Sequence, residues 1–202
     1  MKGALFSVPL LVDAGEKSFV NNESIDLAIA LARLDGADVA ASADALLGGL
    51  SEEEMVAEMR KHGDAVASPP YKFIKCATED ERAAVVEGLT AEFTAREELL
   101  EARKFVLGDH LTLADASLWS KLVRYDNVYC RQFGLGEKFA LLRSWPHLLA
   151  YVRRVAAACP RLVDELQMPL INKIYWQSGT YSPLCGNDPT SPVPATIELF
   201  DA

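Results

Sequence analysis

Paired cysteines, clustered basic residues and long apolar runs are all lacking from this 202-residue sequence. The four cysteines form no Cys-X-X-Cys pair, and none of them precedes Cys76. Without a secretory signal, such scattered cysteines favour reduced thiols over disulfides. The three histidines are also scattered, at no spacing typical of a metal centre, so we predict that the protein binds no metal.

The charge and the hydropathy of the chain exclude further classes of function. The net charge is −9 and the pI is about 4.9. The sequence has no Lys/Arg stripe that could neutralise phosphates, so we predict that the protein binds no nucleic acid. No run of 18 apolar residues and no signal-peptide pattern is present, which indicates neither a membrane span nor secretion. We therefore expect a soluble, cytoplasmic protein, with an organelle left open.

The N-terminal segment has the order strand, turn, strand, helix. Residues 8–13 and 18–20 are β-prone and are joined by a turn that contains Gly15, which predicts a hairpin. An Ala-rich stretch with regularly spaced apolar residues follows and ends near Gly36, and Asn22 or Ser24 could cap this helix.

From about residue 40 onward the pattern is helical. Residues 51–54 form a capping box, the apolar stripe that follows fades by Gly63, and Pro69-Pro70 is expected to break the helix. A long helix is predicted from about residue 80 to 104. Farther along, Thr112 and Asp115 have the spacing of a second capping box, at the start of an apolar helix.

The first segment resembles the end of the glutathione-binding domain of glutathione transferases. The resemblance implies that Val8, before a cis Pro9, contacts the cysteinyl unit of glutathione and that Glu23 and Ser24 hold the γ-glutamyl group. A helix N-terminus with a hydroxyl donor and a carboxylate acceptor suits this ligand. From the residues alone, a plain hairpin followed by a capped helix explains the segment equally well.

The Gly-Asp and Thr-x-Ala-Asp before the second capped helix resemble the helical C-terminal domain of the same superfamily. Three further matches resemble its xi class, the glutathionyl-hydroquinone reductases: Tyr71-Lys72, Leu122–Phe133, and a third that consists of Trp145–Arg153 and Ile171–Ser178. The implied fold is mostly α, a C-terminal helical domain preceded by a partial thioredoxin-like β-hairpin plus helix. The resemblance implies four parts of the chain. Residues 1–36 form the partial glutathione-binding domain, 37–79 a linker and the first helix, 80–178 the helical core, and 179–202 an extended tail.

In the xi class, a cysteine thiolate takes the glutathionyl group from a hydroquinone conjugate, and a second glutathione resolves the mixed disulfide. The resemblance implies that Tyr129 and Tyr175 donate hydrogen bonds to the quinol oxygen and that Tyr125 and Trp176 line the substrate pocket. Glutathione is then the co-substrate and quinols are the small-molecule partners. Because aromatic residues on apolar helices are commonly core residues, a purely structural role remains the alternative for all four.

The sequence departs from the xi pattern at the nucleophile. The class carries Cys-Pro-Trp after its first strand, whereas this chain has no cysteine before Cys76 and no strand-helix-strand unit before Val8. Cys130 lies near the expected pocket, but Arg131 beside it points to another side of a helix, so we do not expect a reactive thiol there.

Two hypotheses of function follow. The first is a glutathione-dependent reductase that has only the second half of its glutathione-binding domain, inactive as the chain stands. The second is a non-catalytic binding or assembly subunit, because a truncated sheet leaves an unpaired edge that invites a partner. A homodimer or a larger assembly is expected in either case.

Overall fold

The computed structural model describes residues 11–13, 18–21, 24–32 and 44–200, and within these ranges the chain is mostly helical. The two strands are β1 Leu11–Asp13 and β2 Ser18–Asn21. The α-helices in the described residues are α1 Ser24–Ala32, α2 Glu52–Phe73, α3 Glu79–Ala102, α4 Leu113–Leu122, α5 Pro146–Ala158, α6 Arg161–Asp164, α7 Met168–Trp176 and α8 Ser182–Cys185.

The N-terminal elements are short. The strands β1 and β2 pair antiparallel, with Leu11 opposite Asn21 and Asp13 opposite Ser18. Helix α1 packs on α2 and buries Leu27 and Ile29. Two strands of three and four residues do not identify a thioredoxin-like domain, so that part of the predicted fold stays a prediction.

Helix α2 begins at the predicted capping box. The Ser51 N–H donates to the Glu54 carboxylate at 2.8 Å, and the Glu54 N–H donates to the Ser51 hydroxyl at 3.3 Å. Two backbone donors of the first turn are thereby satisfied, which fixes where the helix starts.

The predicted break at Pro69-Pro70 is wrong, because α2 continues through both prolines to Phe73. Two N–H donors are lost there, a cost of about 3 kcal/mol for each interior proline. The helix is nonetheless held on both sides of the prolines, since Val66 before them and Phe73 after them are buried in the same core. Tyr71, expected beyond the helix, therefore lies in its last turn.

Helix α3 confirms the predicted long helix to within two residues at each end. It buries Leu89, Phe93 and Leu100 on one face and packs against α2 and α5. The remaining sides are largely exposed and charged, as expected of an amphipathic helix at the surface.

Asp115 fastens the start of α4 to two other parts of the fold. One carboxylate oxygen accepts from the N–H and the hydroxyl of Thr112, each at 2.8 Å. The other accepts from the Val106 N–H at 2.8 Å and from the Tyr151 hydroxyl at 3.1 Å. A fully buried carboxylate with four donors joins the 105–112 loop, α4 and α5, so the predicted capping residues also organise the core.

The segment Tyr125–Cys130 is a π-helical turn, and all six of its residues are buried. Its widened hydrogen bonds include Arg131 N–H to the Asp126 carbonyl at 3.2 Å and Phe133 N–H to the Val128 carbonyl at 3.0 Å. Such turns insert one residue into a helix and re-aim the side chains around it, and they are frequent at functional sites.

The C-terminal tail packs on the helical part of the same chain. Asn127 accepts from the Ile197 N–H at 2.7 Å and donates to the Ile197 carbonyl at 2.9 Å. Leu199 is buried, and Phe200 stacks on Trp119 with ring centroids 6.3 Å apart. The tail thereby covers the outer side of the π-helical turn.

Candidate functional site

Five aromatic rings from distant parts of the chain meet at one place, and we call them the aromatic cluster. Neighbouring rings have their centroids between 5.4 and 5.9 Å apart, mostly in tilted or edge-to-face arrangements. Helix α2 contributes one ring, the π-helical turn and the residues after it two, α7 one, and the residue before α8 the last. The members of the cluster are Tyr71, Tyr129, Phe133, Tyr175 and Tyr181.

Two hydroxyl groups form the polar centre of the cluster. The Tyr71 and Tyr175 hydroxyl oxygens are 2.6 Å apart, and either one can be the donor. Both residues are half-buried, whereas Tyr129 is almost fully buried against the Tyr71 ring. The cluster therefore offers hydroxyl donors and acceptors within an otherwise apolar wall.

Two tyrosines of the cluster, Tyr71 and Tyr129, stay protonated at neutral and moderately alkaline pH. Burial raises the pKa of Tyr129 to about 12, with a further rise from Tyr175 that Arg124 partly opposes. Burial, the neighbouring Tyr129 and the hydrogen bond with Tyr175 raise the pKa of Tyr71 well above its ordinary value. Protonated phenols can donate hydrogen bonds, but they cannot serve as bases at these pH values.

The rings of Tyr125, Tyr129 and Phe133, from the π-helical turn and the residues after it, lie in a row. Tyr129 lies 5.3 Å from Tyr125 and 5.6 Å from Phe133, measured between ring centroids. Tyr125 is fully buried and packs against Phe93 at 4.7 Å, and its hydroxyl has no hydrogen-bond partner in the described part of the chain. Among the ring contacts of the described residues, Tyr125 thus reaches the aromatic cluster through Tyr129, and it packs against the core rings of Phe93 and Phe139.

Trp176 is not brought to the cluster. Its indole N–H donates to the carbonyl and the hydroxyl of Ser191, both at 3.3 Å, so the side chain faces the tail. Neighbouring Tyr175 points into the cluster, since adjacent residues on a helix face different directions.

Of the four residues expected to bind glutathione, only one can be located. Ser24 is the first residue of α1 and is exposed. The predictions for Val8, Pro9 and Glu23 lie outside the described residues.

No cysteine near the cluster has the environment of a nucleophile. Cys130 is buried, and this burial together with the Asp126 carboxylate raises the pKa of its thiol to about 12. Burial also raises the pKa of Cys185, on α8, to about 11. Both side chains are therefore thiols at neutral pH, which agrees with the expectation for Cys130.

The described residues contain no group of side chains that could hold a metal ion. Among the helices assigned above, none combines the length and the apolarity needed to cross a bilayer.

Three members of the cluster were not predicted as site residues. Phe133 closed the Leu122–Phe133 resemblance but was assigned no role. Tyr71 carried a signal in the Tyr-Lys resemblance, but the expected proline break separated it from the other tyrosines. Tyr181 carried no signal, because it lies in a Pro/Ser/Thr-rich segment predicted to be extended.

Comparison with known proteins identifies relatives of this fold. Residues 79–154 match the family described as Glutathione S-transferase, C-terminal domain. Glutathione S-transferase omega-like 2 of Schizosaccharomyces pombe is 26% identical over 213 residues, which cover 96% of this chain and 63% of the relative. Glutathionyl-hydroquinone reductase PcpF of Sphingobium chlorophenolicum is 26% identical over 196 residues, 93% of this chain and 57% of that protein.

A solved structure gives the same result for the fold. The xi glutathione transferase ECM4 from Saccharomyces cerevisiae, in complex with glutathione, superposes with a TM-score of 0.76 at 22% identity. The match covers 95% of this chain and 63% of ECM4. The present chain thus spans 57 to 63% of the length of these three proteins.

Proposed function

We propose that this chain binds the quinol in the glutathione-dependent reduction of glutathionyl-hydroquinones. Residues 79–154 match the C-terminal domain of glutathione S-transferases, and the chain is similar to a glutathionyl-hydroquinone reductase and to a xi-class structure. The observation that carries the proposal is the pair of Tyr71 and Tyr175 hydroxyls, 2.6 Å apart within a wall of aromatic rings. A quinol has the matching chemistry, a flat ring with a hydroxyl at its edge.

The tyrosines act as hydrogen-bond donors to the quinol oxygen. When sulfur leaves the ring carbon, negative charge develops on the ring and its oxygen, and protonated phenols in a partly desolvated site stabilise that charge. Tyr129 supports Tyr71 from the buried side. The raised pKa values of Tyr71 and Tyr129 keep both groups in the donating form.

The reaction consumes one glutathione. A thiolate attacks the sulfur of the conjugate, the bond between that sulfur and the ring carbon breaks, and the carbon takes up a proton as the hydroquinone leaves. A second glutathione thiolate then cleaves the mixed disulfide and releases glutathione disulfide, so the attacking thiol is regenerated. We propose that Val8, Pro9, Glu23 and Ser24 hold the glutathionyl group, in the second half of a thioredoxin-like domain that includes β1, β2 and α1.

We propose that the attacking thiolate comes from outside this sequence, in a longer form of the chain or from a partner. The sequence has no cysteine before Cys76, and burial keeps Cys130 protonated. The chain alone is then expected to turn over glutathionyl-hydroquinones at near-background rates. The lack of a cysteine before Cys76 and the burial of Cys130 also favour a second candidate. This candidate is a non-catalytic subunit that binds the quinol or assembles with a catalytic partner.

Calorimetric titration with 1,4-hydroquinone and with its S-glutathionyl conjugate, both under nitrogen, tests quinol binding. Tyr175→Phe removes one hydroxyl of the central pair and is expected to weaken binding roughly 3- to 10-fold, the cost of one hydrogen bond. Tyr125→Phe is the matched control, because its hydroxyl has no partner among the described residues and its ring stays in the core. Wild-type affinity should be constant from pH 6 to 9, because the raised pKa values of Tyr71 and Tyr129 lie above this range.

Equal loss of affinity in the two variants, or no loss in either, would contradict the proposed role of the hydroxyl pair. A conjugate that binds no more tightly than free hydroquinone would contradict the proposed glutathione contacts, while the quinol site would stand.

A further inference from the structure

We infer that Tyr181 limits the size of the aromatic ring system that the cluster admits, an inference that rests on the proposed function. Among the rings of the cluster, Tyr181 alone belongs to the segment between α7 and α8. Its ring stacks on Tyr175, with centroids 5.7 Å apart and planes inclined by 24°. The Tyr181 ring therefore covers one face of the Tyr175 ring.

The contacts of the Tyr181 ring reach across the cluster. Its centroid lies 5.5 Å from that of Tyr71 and 5.8 Å from that of Phe133. The Tyr181 ring thereby packs against the rings of both residues of the hydroxyl pair. We expect a single ligand ring to approach the hydroxyl pair edge-on, and a second fused ring to meet Tyr181.

The backbone of Tyr181 is anchored to α7. The Ser178 hydroxyl oxygen accepts from the Tyr181 N–H at 3.1 Å, and the Ser182 N–H donates to the Ser178 carbonyl at 3.1 Å. Ser182 is fully buried, and its hydroxyl donates to the Trp176 carbonyl and lies 3.3 Å from the Tyr175 carbonyl oxygen. The backbone therefore stays close to Tyr175, and only rotation of the side chain can clear the face of the Tyr175 ring.

Ring contacts alone hold that side chain. The Tyr181 residue is half-buried, and its hydroxyl makes no hydrogen bond within residues 44–200. The side chain makes ring contacts with Tyr71, Phe133 and Tyr175, and a ligand ring that displaced it would have to replace all three. Tyr181 thus discriminates between ligands by the size of their ring system more than by their hydrogen bonds.

Titration of the whole chain with 1,4-hydroquinone and with 1,4-naphthohydroquinone, under nitrogen, tests this inference. Wild type should bind the single ring more tightly than the fused pair. Tyr181→Ala opens the space of one ring and should shift the ratio of the two dissociation constants about five- to tenfold toward naphthohydroquinone. Tyr181→Phe keeps the ring and should retain the wild-type ratio.

The outcomes separate this inference from the proposed function. Suppose that wild type binds hydroquinone and that Tyr181→Ala leaves the ratio of the two dissociation constants unchanged. This result would overturn the role of Tyr181 and leave the quinol site standing. Wild type that binds neither compound would overturn both. Near-UV circular dichroism checks that each variant is folded, and Tyr181→Leu, which keeps more bulk, should give an intermediate ratio if the alanine variant does not fold.

Discussion

At the scale of single residues, Gly63 sets how closely α2 approaches α4. A β-carbon placed there would lie far inside contact distance of the Ser117 hydroxyl oxygen. That hydroxyl donates to the Met59 carbonyl at 3.0 Å, so it cannot move without losing a hydrogen bond. The packing of these two helices therefore depends on the absence of a side chain at residue 63.

Gly63→Ala should lower the free energy of unfolding by about 1–3 kcal/mol, because a methyl group is forced into a packed interface. Gly88→Ala is the matched control: Gly88 is exposed on α3 with no atom within 4 Å of an added β-carbon, and alanine there should raise stability by up to about 1 kcal/mol. Urea denaturation of both variants measures the difference. Changes of the same sign and size would contradict the close approach of α2 and α4.

At the scale of elements, the tail is joined to the π-helical turn by the side chain of Asn127. This amide pairs with both backbone groups of Ile197, as a neighbouring strand would, and Asn172 donates to its oxygen at 3.4 Å. The tail is thus held by backbone hydrogen bonds that need no regular secondary structure.

Asn127→Ala should release the tail and lower the free energy of unfolding by about 2 kcal/mol, since the buried amide is removed with three hydrogen bonds, two of them to the tail. Hydrogen exchange should become faster at residues 195–200. The control is Asp188→Ala, because the Asp188 carboxylate accepts from the N–H and the hydroxyl of Thr190, within an exposed turn of the tail. Unchanged exchange at residues 195–200 in Asn127→Ala would show that other contacts hold the tail.

Elements with local signals were predictable, and those decided by tertiary packing were not. The capping boxes at Ser51 and Thr112 depend on residues three positions apart, so sequence alone placed both helix starts. The proline pair had an equally clear local signal, but burial on both sides of it outweighed the local preference. The π-helical turn has no sequence signature, and only the packed structure reveals it.

At the scale of the whole molecule, the candidate site is assembled from segments that are distant in sequence. The resemblance to the xi class singled out Tyr129 and Tyr175, and the structure brings both to the aromatic cluster. Tyr181 had no such precedent, and Trp176 resembled a pocket residue but faces the tail. Periodicity indicates which face of a helix is apolar, but not which faces of different helices meet.

The central claim is that a quinol binds at the Tyr71 and Tyr175 hydroxyls, and a crystal structure of this chain with bound 1,4-hydroquinone tests it most directly. We predict a quinol oxygen within about 3.2 Å of at least one of these two hydroxyls, with the ring against the aromatic cluster. Hydroquinone bound only elsewhere on the chain, with the Tyr71–Tyr175 hydrogen bond undisturbed, would contradict the claim.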